Sequence, residues 1–239
     1  MNFAHLSHRL SDYRIDRSLA DAGTLFQGDT VFRNEAVVEN FNPHSTCLVT
    51  KAQQTFSSHG GTHADKPAHF IDSPEPQEFD ASQYSGSALL LQVSRYIQDD
   101  LIVTLIAVQA ELEHLGIQHD DVRRYRILLR MNPDDTYSSD TKVPFAYLEK
   151  DAVAFLAERG CPMVAVDTKS IDAEHETCLA GANHGLCYTH GTAIVENVDL
   201  SAYDVSSRGE IATFFDSTRN YTDARGIAAM IFVPDDAHE

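Results

Sequence analysis

The side chains best suited to chemistry are concentrated between positions 57 and 70, in the segment SSHGGTHADKPAHF. Within eleven positions, this segment places four side chains of the types that bind metals or move protons: His59, His63, Asp65 and His69. Two glycines and a proline disfavour a continuous helix here, so the first two histidines are not expected to form a helical pair despite their spacing. We predict instead a strand that runs into a glycine-bearing loop, where neutral imidazoles and a carboxylate can converge on one divalent cation.

Such a cation would be catalytic rather than structural. Two histidines and one aspartate leave coordination positions open for water, as a catalytic metal requires. Asp65 has two oxygens and could bridge to a second cation, while His69 could shuttle protons without binding metal. The competing interpretation is a surface loop that carries histidines by chance, and the number of ligand-type residues in so short a segment argues against it.

A second group of ligand-type residues lies in the segment 183–199, NHGLCYTHGTAIVENVD. His184 and His190 flank a short predicted helical turn, and the strand that follows carries Glu196 near its far end. Residue types alone do not choose between His175, His184 and His190 as ligands, and Glu196 could equally face solvent.

The elements that must position these residues are strands and a few helices. Short apolar runs rich in β-branched residues predict strands at residues 46–50, 88–93, 126–131, 163–167, 192–195, 211–215 and 227–233. Apolar residues at helical spacing predict helices at 105–115 and 147–159, each followed by a glycine that can end it. The second helix leads into a buried strand that ends on Asp167, and polar residues at that end of a strand commonly line a crevice. These elements predict a mixed α/β fold: a single domain over residues 1–239 with a mixed β-sheet core and flanking helices.

The composition narrows the class of partner. Acidic residues number 36 against 18 basic ones, and the resulting formal charge of −18 repels phosphate backbones and anionic lipid headgroups. No apolar run approaches the roughly 18 residues of a membrane helix, and the first ten residues lack the apolar run of a signal peptide. The four cysteines form no CxxC pair, so we expect reduced thiols. We therefore expect a cytoplasmic protein that acts on a small molecule, with neither nucleic acid nor membrane as a partner.

The stretch HGGTHADKPAHF resembles the His-x-Gly-Thr/Ala-His-x-Asp-x-Pro-x-His signature of the metal-dependent hydrolases of the cyclase family, which include bacterial kynurenine formamidases (arylformamidases). Similarity to the family extends over most of the chain, in the segments 26–30, 126–130, 166–172 and 196–200. The resemblance implies a binuclear site that holds zinc or manganese, and its implied ligands are His59, His63 and Asp65 for the first metal and Asp65, His184 and Glu196 for the second. It favours His184 over the other two histidines because the family's His and Glu ligands show the same spacing of twelve. It also implies that His69 is the general acid/base.

Three departures from the family's pattern bear on the substrate. Phe26 stands where the kynurenine formamidases have a substrate-packing Trp, while Gln27 and Lys169 each replace a Pro. Phe26 can still stack on an aromatic substrate, although it presents less area and no N–H.

The resemblance therefore implies a metal-dependent hydrolase of non-peptide C–N bonds. It implies hydrolysis of an aryl formamide such as N-formylkynurenine by a metal-activated water, with an isatin-like cyclic amide as the alternative, and assembly as a homodimer or larger homo-oligomer. A non-catalytic binding protein on the same fold is a further alternative, against which the retention of His69 argues. Serine catalysis is not expected, since no G-x-S-x-G motif is present.

Overall fold

The computed structural model of the protein describes residues 4–5, 35–39, 49–53, 58–69, 78–132, 144–173, 183–221 and 223–235. The strands among them are β1 (Ala4–His5), β2 (Glu35–Glu39), β3 (Val49–Gln53), β4 (His63–Asp65), β5 (Gly86–Gln92), β6 (Ile102–Val103), β7 (Arg126–Arg130), β8 (Tyr147–Leu148), β9 (Met163–Val166), β10 (Ala193–Glu196), β11 (Ser207–Asn220) and β12 (Ala224–Pro234). The α-helices are α1 (Leu105–His114), α2 (Lys150–Glu158) and α3 (Asn183–Thr189). Short 3-10 helices are Pro67–His69, Ala81–Tyr84, Ser94–Tyr96 and His119–Arg124.

The main sheet is mixed and runs in the order β1-β12-β11-β5-β7-β9-β10-β4. Strands β5, β7, β9 and β10 are parallel to their neighbours in that series, whereas β4, β11 and β12 pair antiparallel. Strand β4 pairs with β10 on one side and with β12 on the other, so the path of hydrogen bonds returns to β12. Two smaller pairs, β2–β3 and β6–β8, lie outside this sheet.

Both faces of the central strands are buried. On β5, Leu89 and Leu91 belong to the apolar cluster that includes the helices, whereas Ala88 and Leu90 belong to a second cluster on the other face of the sheet. This division follows from the two-residue period of a strand, and sheets buried on both faces have the continuous apolar strands that the sequence shows here. The predicted mixed α/β fold is thereby confirmed, while the extent of a single domain over 1–239 stays a prediction.

The helix predicted at 105–115 is confirmed as α1. Thr104 caps its first turn by accepting a hydrogen bond from the Ala107 N–H, and Val108 and Leu112 are fully buried on its inner face. None of the helices in the described part of the chain is long and apolar enough to cross a membrane.

The helix predicted at 147–159 begins three residues later than expected, at Lys150. Tyr147 and Leu148 instead form β8, which pairs in parallel with β6. The Glu149 N–H donates to the Val103 carbonyl, so the backbone before α2 is held extended by a neighbour more than 40 residues away. Helical periodicity cannot reveal such a pairing.

The other predicted strands are confirmed with shifts at their ends. Residues 46–48 of the first lie outside the described residues, and β3 begins at Val49. Strand β9 ends at Val166, one residue before Asp167. The Asp167 carboxylate turns back into the fold, where it accepts hydrogen bonds from the N–H groups of Met131 and Asn132.

Candidate metal centre

The segment rich in ligand-type residues forms a turn followed by a short strand. Gly61 has a φ of 72°, a left-handed conformation that glycine adopts at little cost, and the turn leads directly into β4. His59 lies in the turn, whereas His63 and Asp65 are alternate residues of β4 and so point to the same face. The prediction that this segment forms no continuous helix is confirmed. The predicted order of strand and loop was wrong, because the glycine-bearing turn comes before β4, the strand that carries His63 and Asp65.

Pairing between strands brings Glu196 to this face. Glu196 is directly opposite His63 in the antiparallel β4–β10 pair, and its Oε2 lies 3.7 Å from His63 Nε2. The next residue, Asn197, has a φ of 58°, and its carbonyl accepts a hydrogen bond of 2.6 Å from the Thr62 hydroxyl. This contact fastens the end of β10 to the glycine-bearing turn.

Helix α3 supplies His184 from its first turn. Asp172 accepts a hydrogen bond from the Asn183 N–H and lies 2.5 Å from His184 Nδ1. His184 therefore donates its Nδ1–H to the Asp172 carboxylate, and its Nε2 faces the centre. Carboxylates that accept the second N–H of a ligand histidine commonly fix its tautomer and ring orientation in metal sites.

Two sets of atoms could each bind a metal ion, and we call these atoms donor atoms because each offers a lone pair to a cation. The first set comprises His59 Nδ1, His63 Nε2 and Asp65 Oδ1. The two ring nitrogens are 3.0 Å apart, and they lie 3.0 and 3.2 Å from Asp65 Oδ1. His63 donates its Nδ1–H to the Gly61 carbonyl at 2.8 Å, so its Nε2 carries a lone pair. His59 Nε2 is 3.2 Å from Asp223 Oδ2, to which it can donate, so that His59 Nδ1 also presents a lone pair.

A second set of donor atoms shares Asp65. His184 Nε2 lies 3.1 Å from Asp65 Oδ2 and 3.3 Å from Glu196 Oε1. The two oxygens of Asp65 therefore face different sets, as a bridging carboxylate would. All five predicted metal ligands lie together in these two sets.

These residues fit the divalent metals that the sequence implies. Donors bound tetrahedrally at 2.0–2.1 Å from one ion are about 3.3 Å apart, close to the separations within both sets. Asp65 Oδ1 is buried and makes no hydrogen bond among the residues that the structure describes, although it faces two nitrogens that can both present lone pairs. Converging acceptors of this kind are stable only with a proton or a cation between them.

The electrostatic environment favours positive charge. Burial by itself would lower the pKa of His59, but the hydrogen bond to Asp223 and the negative charges of Asp65 and Glu196 raise it to about 10. Burial likewise opposes protonation of His184, whose pKa is nevertheless raised well above its usual value by Asp172, Asp65 and Glu196. The negative charge that attracts a proton to these rings would also attract a divalent cation.

His69 lies beside the donor atoms and has the opposite shift. It ends the Pro67–His69 3-10 helix, and its ring centroid is 4.1 Å from that of His59 and 6.2 Å from that of His184. Burial lowers the pKa of His69 to about 4, a shift that the neighbouring histidines reinforce and Asp65 opposes. A neutral imidazole at this place can accept a proton.

Among the described residues, the candidate His190 does not join the cluster. It follows the last turn of α3 and is exposed, six residues from His184. His175 and Phe26 lie outside the described residues. Sequence reasoning did not select Asp172 or Asp223: the first lies in a segment noted for its family resemblance, but the second is 164 residues from His59 and carried no local signal.

Curated relatives include kynurenine formamidases. That of Bacillus mycoides is 32% identical over 174 residues, which cover 72% of this chain and 75% of the relative. That of Bacillus cereus is 31% identical over 175 residues, with the same coverage. The activity that these names state is hydrolysis of a non-peptide C–N bond.

Solved structures share the fold. Isatin hydrolase A from Labrenzia aggregata superposes with a TM-score of 0.66 at 18% identity, covering 97% of this chain and 93% of the other. A predicted metal-dependent hydrolase from Bacillus stearothermophilus superposes with a TM-score of 0.65 at 15% identity, covering 97% of both chains. The sequence model of the family described as putative cyclase matches residues 4–173. Because this match extends over more than half of the chain, and relatives above 30% identity cover more than two thirds of it, the protein belongs to the cyclase family.

Proposed function

We propose that the protein is a metal-dependent amide hydrolase that cleaves an aryl formamide such as N-formylkynurenine. The observation that carries this proposal is the pair of donor sets that share Asp65, with the neutral ring of His69 beside them. The curated relatives support the choice of substrate, since they are named for that reaction.

The proposed metals are two divalent cations, zinc or manganese, since histidine and carboxylate donors serve both. His59, His63 and Asp65 would hold the first, and Asp65, His184 and Glu196 the second. Cations bound there would supply Lewis-acid chemistry, which activates water at neutral pH and polarises a carbonyl oxygen.

The proposed role of His69 is proton transfer. A ring nitrogen of His69 would take a proton from the attacking water while a C–O bond forms at the formyl carbon. His69 would then return that proton to the departing nitrogen as the C–N bond breaks, giving formate and an arylamine. Phe26 is proposed to pack on the aromatic ring of the substrate, and assembly as a homodimer or larger oligomer in the cytoplasm stays a prediction.

The second candidate substrate is an isatin-like cyclic amide. The fold is shared with isatin hydrolases, and ring opening by water needs the same donor sets and the same proton transfer. The curated relatives favour the formamide.

The test compares hydrolysis of N-formylkynurenine and of isatin by the full chain, first stripped of metal by a chelator and then refilled with zinc or manganese. We expect formamide turnover only after refilling. His69→Gln should lower that turnover by about 100-fold or more, because general acid/base catalysis contributes about 10²–10⁴-fold, while bound metal is unchanged.

His190→Ala is the matched control, because His190 is an exposed histidine close in sequence to His184 but outside both donor sets. It should keep full turnover. Turnover by the metal-free protein would contradict metal dependence, and full turnover by His69→Gln would contradict the role of His69. Turnover of isatin without any turnover of the formamide would make the cyclic amide the substrate.

A further inference from the structure

Asp223 contacts the metal centre from the far end of the chain without belonging to the predicted ligands. Its Oδ2 lies 3.2 Å from His59 Nε2 and accepts a hydrogen bond of 3.0 Å from the Ser58 hydroxyl. The side chain of Asp223 is 37% exposed, whereas that of His59 is only 10% exposed. The carboxylate therefore lies where the buried ring meets the surface.

The position of Asp223 is set by the pairing of β12 with the ligand strand β4. Ala224, the first residue of β12, is opposite Asp65 in this pair. The Asp223 carbonyl accepts a hydrogen bond of 2.9 Å from the Lys66 N–H. Lys66 Nζ also donates to Asn220 Oδ1 at 2.7 Å, near the end of β11. The β11–β12 hairpin is thus fastened to the strand that carries His63 and Asp65.

This contact determines which nitrogen of His59 can bind a metal. A neutral imidazole carries one proton, and a carboxylate at Nε2 holds the proton on that atom. His59 Nδ1 then presents its lone pair to the first donor set, 3.0 Å from both His63 Nε2 and Asp65 Oδ1. Without an acceptor at Nε2, the proton could move to Nδ1 and block that position.

We infer that Asp223 is a positioning residue for the first metal, which holds His59 in its metal-binding tautomer and ring orientation. The inference rests on the proposed function, since it presupposes that His59, His63 and Asp65 bind a cation. Each proposed metal would then have one ligand histidine held by an aspartate, because Asp172 contacts His184, the histidine of the second set, in the same way.

Two other roles for Asp223 are less consistent with the geometry. His59, His69 and Asp223 each offer a donor atom within 4.8 Å of the others, which is close enough for a further cation. That cation would need the lone pair of His59 Nε2, however, and the 3.2 Å contact with Asp223 already occupies this nitrogen. In a purely structural role, Asp223 would only anchor the turn through its hydrogen bond with Ser58. Such a role does not require the contact between Asp223 and the His59 ring that is present here.

The experiment titrates Zn²⁺ into the metal-free full-length protein by calorimetry, with chelator competition for the tighter site. The variants are Asp223→Ala, Asp223→Asn and Ser58→Ala, and Asp216→Ala serves as a control elsewhere on the same hairpin. Each is also made in a His184→Ala background, which removes a ligand of the second set and leaves the first site to be measured alone. Thermal unfolding of each metal-free variant reports whether the fold is unchanged.

Asp223→Ala should weaken the first zinc site by about 10–100-fold, the range typical of partners that orient a ligand histidine. Asp223→Asn should fall between Asp223→Ala and wild type, because its amide oxygen still accepts the Nε2–H but carries no charge. Ser58→Ala should stay within about threefold of wild type, and Asp216→Ala should match wild type. Each metal-free variant should still unfold in one cooperative transition, which shows that a weaker zinc site does not arise from loss of the fold.

Zinc affinity of Asp223→Ala equal to that of wild type would overturn the inference. So would an equal loss in Ser58→Ala, which would assign the effect to the turn. If the wild type bound three zinc ions and Asp223→Ala bound only two, Asp223 would be a ligand of a third cation instead. A wild-type protein that binds zinc but hydrolyses no amide would refute the proposed function alone, whereas a wild-type protein that binds no zinc would refute both.

Discussion

Asp65→Asn should cost the protein more metal binding than the loss of any other single carboxylate. One oxygen of Asp65 faces His59 and His63, and the other lies 3.1 Å from His184 Nε2. An asparagine of the same shape presents one neutral oxygen and one NH₂ group, and the NH₂ group cannot bind a cation. One site should therefore be lost and the other weakened. By contrast, Glu196→Gln should spare the first site, because Glu196 belongs only to the second set. Its Oε1 lies 3.3 Å from His184 Nε2, and its Oε2 lies farther from His63 Nε2, at 3.7 Å.

The size of the effect follows from linkage between binding and folding. A site whose free metal is at 100 times its Kd stabilises the folded state by about 2.7 kcal/mol, so two such sites add about 5 kcal/mol. In a protein of this length, 1 kcal/mol shifts the melting temperature by about 2–4 °C. Zinc should therefore raise the Tm of the wild type by about 10–20 °C. Glu196→Gln should keep about half of that shift, and Asp65→Asn less than half.

The assay is thermal unfolding followed by circular dichroism, with excess zinc and with chelator, together with the zinc content of each protein. Asp167→Asn is the matched control: Asp167 is also a buried aspartate, but it contacts backbone N–H groups outside the donor sets and should leave the zinc-dependent shift intact. Two zinc ions and the full shift in Asp65→Asn would refute the bridging role. Equal losses in Asp65→Asn and Glu196→Gln would refute the division into two sets.

Two further predictions concern carboxylates that bind no metal in this scheme. Asp172→Asn should weaken the second zinc site by about 10–100-fold, because the charged acceptor at His184 Nδ1 is lost. Zinc affinity is measured by calorimetry, and an affinity equal to that of wild type would contradict this prediction. Burial raises the pKa of Asp167 to about 7, so between about pH 4 and pH 7 the folded state keeps a proton that the unfolded state has lost, and stability should fall as pH rises. The shift corresponds to at most about 4 kcal/mol, and Asp167→Asn should gain stability relative to wild type as pH rises from 4.5 to 7.5 in urea unfolding of the metal-free proteins. A difference between the two proteins that does not change with pH would contradict this assignment.

Local features of the sequence were sufficient to predict one half of the metal centre. His59, His63 and Asp65 come from a single turn and the strand after it, so their convergence appears as spacing along the chain. The ends of α1 were predictable for a similar reason, since a helix is capped by residues adjacent to it in sequence.

The tertiary structure decided the rest, because the remaining contacts join residues distant in sequence. The sequence does not distinguish His184 from His190 as a ligand. In the structure, His184 lies in the first turn of α3 and faces Asp65, whereas His190 follows the last turn of α3 and is exposed. Glu196 reaches the centre because β10 pairs with β4, and Asp223 reaches His59 because β12 pairs with the other side of β4. Backbone hydrogen bonds between strands set both registers, and the apolar pattern of a strand indicates that it is buried without specifying its neighbour.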